Sequence, residues 1–114
     1  MTEGIIEFSE WSKLDLRVAE ITKVEEIEGA DKLFKLEVDV GKELGKRTLV
    51  AGLKEYYSKN ELMNKRCVVF VNLKPREMRG LTSEGMILAA VNEDHSKVKL
   101  IEVDGEIEFG SRIQ

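Results

Sequence analysis

Tryptophan, cysteine, proline and histidine occur once each in this chain, as Trp11, Cys67, Pro75 and His95. A single cysteine excludes an internal disulfide and with it the signature of an oxidising compartment. One cysteine and one histidine together exclude the usual zinc frameworks. His95 falls in a polar turn, Asn92-Glu93-Asp94-His95-Ser96, where no nucleophile and orienting carboxylate are easily assembled around it. There is no GxxxxGK[ST] phosphate loop and no GxGxxG fingerprint. Asp39-Val40-Gly41 lacks the spaced carboxylates of a calcium loop. No apolar run approaches the roughly 18 residues that a membrane span needs. The start of the chain lacks a cationic segment followed by an apolar one, so no secretory leader is expected and the expected location is the cytoplasm. Nothing in these absences asks for catalysis, a metal or a cofactor, and none is expected.

What remains is a short, highly charged chain of 114 residues, 42% hydrophobic and 35% charged. That length suits one domain, taken here as residues 1–114, and leaves little room for a deep catalytic cleft. The formal net charge is −4, which argues against a general nucleic-acid coat protein. A local basic patch on an acidic body can still bind phosphates, and the acidic remainder then discourages indiscriminate binding.

The pattern along the chain is that of strands. Ser9 is placed to cap a short helical turn leading to Trp11, which reads either as a plug at one end of the core or as a base-stacking platform. From Asp15 to Ile27 the period of two slips after Val18, which predicts a long strand with a bulge near Ala19 or Glu20. A turn at Gly29-Ala30-Asp31-Lys32 precedes Leu33–Val40, where Phe34, Leu36, Val38 and Val40 alternate with Lys35, Glu37 and Asp39. A hairpin-like connection, Gly41 to Gly45, leads to a third strand at Arg47–Ala51. Lys54 to Asn64 reads as a short helix or turn carrying Tyr56 and Tyr57. Cys67–Val71 and Met86–Val91 are the fourth and fifth strands, with Cys67 a small buried hydrophobe. A last hairpin is expected across Asp104-Gly105, from Val98 to Phe109. The prediction is all-β: a five-stranded Greek-key barrel of the OB type over 8–92, with a short helix between strands 3 and 4. A C-terminal extension over 97–114 is surplus to it. Its apolar residues Leu100, Ile101, Val103, Ile107 and Phe109 need a surface to cover, which points to a homodimer interface.

Between the fourth and fifth strands lies Asn72-Leu73-Lys74-Pro75-Arg76-Glu77-Met78-Arg79-Gly80, followed by Leu81-Thr82-Ser83-Glu84-Gly85-Met86. Lys74, Arg76 and Arg79 against Glu77 make 72–80 cationic by two charges on an acidic protein. Pro75 fixes its own φ and biases Lys74 toward extended backbone, so the loop is pre-organised. Asn72 offers an amide to a base edge or a ribose hydroxyl. Arg76 and Arg79 fork onto phosphate or stack on a base, and Met78 and Met86 supply soft contacts to a base face. The competing reading is a solvated loop with two core methionines.

Five blocks in order resemble one family: Asp15-Leu16-Arg17-Val18, Ala30-Asp31-Lys32-Leu33-Phe34, Asn72-Leu73-Lys74-Pro75, Met78-Arg79-Gly80 and Ser83-Glu84-Gly85-Met86. It is the tRNA-binding domain found at the C-terminus of many methionyl-tRNA synthetases, in the endothelial monocyte-activating polypeptide and as a free-standing protein. The resemblance runs from about Phe8 to Arg112. It implies an OB fold, tRNA binding without strong sequence specificity, no catalysis and, in bacterial-type members, a homodimer. A chain of this length resembles the separate tRNA-binding (β) subunit beside some archaeal methionyl-tRNA synthetases, which makes the catalytic subunit an implied partner. Family contacts carry over to Asn72, Lys74, Met78, Arg79, Ser83 and Met86, and on weaker matches to Lys32 and Arg17. The chain departs from the pattern at Glu28-Gly29, where His-Pro is frequent, at Ala51, where Ser is frequent, and at Arg76, where Lys is frequent. The other readings are a docking subunit of a synthetase assembly with a minor RNA role, a free-standing tRNA-binding chaperone, and an OB-fold binder of single strands or oligosaccharide.

Overall fold

The computed structural model describes residues 4–114. The first three residues of the segment read above for a leader therefore lie outside the described residues. The chain opens with a one-turn helix α1 (Phe8–Trp11), then β1 (Leu16–Ile27), β2 (Ala30–Asp39), the one-turn helix α2 (Gly41–Leu44) and β3 (Lys46–Ala51). A third short helix, α3 (Lys59–Leu62), leads to β4 (Arg66–Phe70). Then come β5 (Arg76–Met78), β6 (Leu81–Ser83), β7 (Met86–Ile87), β8 (Ala89–Val91) and β9 (Val98–Leu100). The main sheet has the order β3-β2-β1-β4-β7, with every neighbouring pair antiparallel.

The long strand β1 serves two partners. Its first part, Leu16 to Glu20, pairs with β4 and its second, from Glu20 on, with β2. That division needs a strong bend, and the register slips between Ile21 and Lys23. The bulge is thus at Thr22 rather than at Ala19 or Glu20, and the Thr22 hydroxyl secures it by donating to the Glu37 carbonyl at 3.1 Å. The inward residues of β1 to β4 then meet in one core, in which Ile21, Leu36, Val38, Leu49 and Val69 are fully buried. Leu62 of α3 plugs one end of that core. It is held there by a capping box, with Ser58 N–H donating to Glu61 Oε1 at 2.8 Å and Glu61 N–H to Ser58 Oγ at 3.2 Å. Helix α3 occupies only part of the predicted 54–64, because the cap begins at Ser58. Similarly α1 begins after Glu7, whose N–H donates to Glu10 Oε1 at 3.1 Å, so Ser9 lies inside the turn instead of capping it.

Two sequence expectations change at the C-terminal side. The fifth strand is broken at Leu88: β7 pairs with β4, whereas β8 turns away to pair with β9. Beyond β9 there is no hairpin. Asp104-Gly105 is a bend, and residues 101–114 run back across β4 and β1. Val18 N–H donates to the Ser111 carbonyl at 2.9 Å, Gly110 N–H to the Val18 carbonyl at 2.8 Å and Ile113 N–H to the Leu16 carbonyl at 2.8 Å. The free edge of β1 was worth more to this segment than pairing with itself, because each of these bonds satisfies a strand group that would otherwise stand unpaired. The apolar residues offered above as an interface divide accordingly. Leu100 is buried in its own core, Val103 and Phe109 are half-buried, and Ile101 and Ile107 stay exposed at 42% and 46%.

Candidate nucleic-acid interface

Within the 72–86 stretch, which the sequence presents as a pre-organised loop, residues 76–83 form a β-hairpin. Arg76 pairs with Ser83, Glu77 with Thr82 and Met78 with Leu81, leaving Arg79-Gly80 as a two-residue turn. Both turn residues have positive φ, 53° and 79°, the pattern of a type I′ turn. Gly80 takes that region without cost. Arg79 does not, and its side chain sits exposed at the apex of the hairpin.

The hairpin is rigidly rooted. Ser83 Oγ accepts the Val50 N–H at 3.0 Å and donates to the Gly85 carbonyl at 3.1 Å. Glu84 exchanges two bonds with Thr48: its N–H donates to the Thr48 carbonyl at 2.8 Å and its Oε1 accepts the Thr48 N–H at 2.9 Å. Arg47, a residue the sequence reading passed over, donates from Nη1 to the Val71 carbonyl at 2.7 Å, at the base of the hairpin. These bonds tie β3, at one end of the sheet, to the segment entering β7 at the other, and so close the barrel. Gly85 permits the approach: a Cβ there would meet the Phe70 carbonyl oxygen at 2.7 Å.

The expected site residues fall into three groups. Lys74, Arg76 and Arg79 are exposed, and among the described residues no ion pair ties any of them to a carboxylate. Met78 is half-buried and Met86 is 43% exposed, and both line one open groove of about 610 Å³. Its floor and walls include Ala51, Ile87 and Val91, with Tyr56 and Arg76 among the polar lining. Lys32 is exposed, and its carbonyl accepts the Lys54 N–H at 3.3 Å, beside the Gly52-Leu53 edge of that groove.

The third group is positioned to hold the site together. Ser83 is only 4% exposed, so its hydroxyl has no surface to offer a ligand and its expected contact becomes an anchoring role. Asn72 Oδ1 accepts the Asp15 N–H at 2.8 Å and Nδ2 donates to the Lys13 carbonyl at 2.7 Å, leaving one N–H and one lone pair for an outside partner. Arg17 donates to both carboxylate oxygens of Asp15 and, at 2.9 Å, to the Gly110 carbonyl, so its guanidinium is occupied by the C-terminal segment. The Arg17 hydrogen bond holds the Asp15 carboxyl below the usual carboxylate range, against the opposing effect of burial.

The aromatics separate as well. Tyr57 turns inward, its hydroxyl accepting the Leu100 N–H at 3.1 Å. Tyr56 lines the groove, its hydroxyl donating to the His95 carbonyl at 2.9 Å. Trp11 is half-buried among Phe8, Leu14 and Ile113, outside the main core. Burial pushes the Cys67 thiol up to about 12, with the Glu102 carboxylate adding to the effect. Among the described residues no group of three or more His, Cys, Asp and Glu side chains is placed to hold a metal ion, and no helix is long and apolar enough to cross a membrane.

The sequence profile of the tRNA-binding domain family matches residues 16–112. The methionine–tRNA ligase of Pyrococcus furiosus is 45% identical over 109 residues, which are 96% of this chain and 14% of that ligase. The chain thus spans about one-seventh of the length of the curated relatives it matches. Among solved structures, a MetRS-related protein from Pyrococcus horikoshii superposes with a TM-score of 0.91 at 36% identity, covering 98% of this chain and 100% of that one. The chaperone CsaA from Bacillus anthracis superposes with a TM-score of 0.87 at 30% identity, covering 97% and 100%.

Proposed function

Since this chain belongs to the tRNA-binding domain family, we propose that it is a non-catalytic module that recognises the folded shape and backbone of tRNA. The observation that carries this reading is the hairpin itself. With the turn that leads into it, it lifts Lys74, Arg76 and Arg79, none of them ion-paired among the described residues, from a body whose net charge is −4, and it is anchored on both flanks. Fixed cations bind phosphate with little ordering cost, while the acidic remainder repels nucleic acid that does not fit. The module serves as the tRNA-binding (β) subunit of a methionyl-tRNA synthetase, raising the local concentration of tRNA for the catalytic subunit in the cytoplasm. Binding measured with several purified tRNAs across a salt series tests it. About three phosphate contacts predict a log–log slope of about −2 to −3 per site. A slope near zero, or no binding to any tRNA, rejects it.

The barrel over 8–92 carries the site, and a homodimer multiplies it. The exposed apolar residues available for that interface are Ile5, Ile6 and Phe8, at 98%, 65% and 79% exposure, together with Ile101 and Ile107. The same N-terminal residues favour a second reading, a protein-docking subunit with a minor RNA role. Capture of the synthetase that survives both nuclease treatment and Arg79→Ala supports docking over RNA binding. Sedimentation as a monomer at micromolar concentration rejects the dimer.

A further inference from the structure

The groove beside the hairpin has a chemistry that phosphate recognition leaves unused. Its floor is apolar: Ala51, Ile87 and Val91, with the thioethers of Met78 and Met86. Phosphates do not enter such a surface, and a cationic loop alone has no use for it. The groove is nonetheless continuous with the cationic hairpin, because Arg76 and Met78, two positions apart on β5, face it together. Side chains two apart on a strand share a face, so one face of β5 presents a guanidinium and a thioether side by side. Tyr56 lines the same groove. Its ring is half-buried and its hydroxyl is fixed on the His95 carbonyl at 2.9 Å, so the ring is oriented in advance. The turn that supplies this carbonyl is itself locked: Asn92 accepts the Lys97 N–H at 2.8 Å and donates to Ser96 Oγ at 2.9 Å, and His95 holds a positive φ of 60°.

An aromatic wall, soft sulfur contacts, an apolar floor and a guanidinium at the rim are complementary to one class of molecule, a flat heterocycle joined to a phosphate. We propose that the groove takes one unstacked nucleobase of the bound RNA, seated between Tyr56 and the Met78 and Met86 side chains, with its phosphate on Arg76. The volume, about 610 Å³, is within the range of roughly 300–1,000 Å³ that small-ligand sites occupy. This inference rests on the tRNA-binding reading and sharpens it. Contacts to phosphates alone would accept any RNA of suitable shape, whereas a base pocket requires a loop or end from which a base can be splayed out.

The test uses the full chain, one purified tRNA and a blunt-ended RNA duplex. Loss of the stacking wall in Tyr56→Leu is expected to weaken tRNA binding about tenfold, with Tyr56→Phe within about twofold of the parent because its ring remains. Neither change alters the salt slope, since stacking releases no counterions. The duplex, having no unpaired base, binds the parent and Tyr56→Leu equally. Val91→Glu provides an independent variant: Val91 is already 50% exposed, so the fold tolerates the change, yet a carboxylate enters the groove. It too is expected to weaken tRNA, and by more than it weakens the duplex, which meets only the added charge and not the blocked pocket. If Tyr56→Leu and Val91→Glu bind tRNA like the parent while Arg79→Ala does not, the base pocket is overturned and tRNA binding by the hairpin stands. An apolar peptide that binds the parent and is lost in Tyr56→Leu, with tRNA affinity untouched, overturns it in favour of a protein ligand. Failure of the parent to bind any tRNA removes both readings at once.

Discussion

Asn72 Oδ1 accepts the backbone N–H of Asp15 at 2.8 Å, across 57 residues of sequence. With the second bond, from Nδ2 to the Lys13 carbonyl at 2.7 Å, one amide bridges the entry of β1 and the root of the cationic hairpin. The residue just outside the hairpin thus sets where Lys74 and Arg76 begin. Replacing Asn72 with Ala removes both bonds while leaving their backbone partners near water, so the expected loss is about 1–2 kcal/mol. Thermal melting should fall by several degrees, and tRNA affinity should fall with it. Asn72→Asp retains the acceptor but loses the donor, and should lie between the two in both measurements. Equal melting temperatures for the parent and Asn72→Ala would show that the bridge does not hold the hairpin.

Arg79 separates folding from binding. Its φ of 53° is a region that a non-glycine residue occupies at a cost of roughly 1 kcal/mol. Arg79→Gly therefore should leave stability unchanged or raise it by up to about 1 kcal/mol. The same substitution removes the apical cation and should weaken tRNA binding about tenfold, with the salt slope shallower by about one. Melting curves and salt-titrated binding on one protein sample check both halves. A variant that binds as tightly as the parent would take the apex out of the interface.

The barrel was legible in the sequence where burial follows a simple period. Phe34, Leu36, Val38 and Val40 alternate with polar residues over seven positions, and all four are buried. The hairpin was not legible as a hairpin, because each arm is three residues long and its turn is Arg79-Gly80, not the Asn-Gly or Asp-Gly pair that marks such turns. Asp104-Gly105 carries that mark and forms no hairpin, since its flanks bond to β1 and β4 instead. Local chemistry proposed, and distant strand edges decided. The cations of the site could be counted from composition. The anchoring roles of Asn72 and Ser83 could not, because their partners lie 57 and 33 residues away.

Acid should loosen the join between the chain ends. The Asp15 carboxyl is held below its usual range chiefly by the hydrogen bond from Arg17, and Arg17 in turn holds the Gly110 carbonyl at 2.9 Å. A carboxyl whose folded pKa is depressed contributes stability that is complete above its unfolded value, about 3.9, and is lost as pH falls through the lower folded value. The stability difference between the parent and Asp15→Asn should thus be constant near neutrality and shrink below about pH 4. Denaturant titrations at several pH values measure it. A difference that persists undiminished at the lowest pH would assign the effect of the substitution to geometry and not to charge.

Cys67 should report unfolding and little else. It is fully buried, and its thiol is pushed up to about 12 by burial and then by the Glu102 carboxylate. At pH 8 almost none of it is thiolate, the form that reacts. Labelling by a thiol reagent under native conditions should therefore be slower than in denaturant by orders of magnitude, and should track global opening. Rapid native labelling would mean that β4 opens locally.

Ser83 decides whether the barrel closure or the cations carry the binding. Its hydroxyl satisfies the Val50 N–H at 3.0 Å, and Val50 is 7% exposed, so water cannot readily replace it. Ser83→Ala leaves that donor unpaired and should cost about 1–3 kcal/mol of stability. It removes no charge and no exposed surface. If the hairpin must be held against β3 to present Lys74, Arg76 and Arg79 together, Ser83→Ala should also weaken tRNA binding several-fold, with the salt slope flattened because fewer phosphates are met at once. Glu84→Gln offers the companion measurement. It keeps an acceptor for the Thr48 N–H, found at 2.9 Å from the carboxylate, and removes one negative charge beside the hairpin. Binding should hold or tighten slightly in that variant. Loss of affinity in Ser83→Ala with its preservation in Glu84→Gln would establish that closure of the barrel, more than local charge, sets the interface. Unchanged affinity in Ser83→Ala with tighter binding in Glu84→Gln would assign the interface to charge alone.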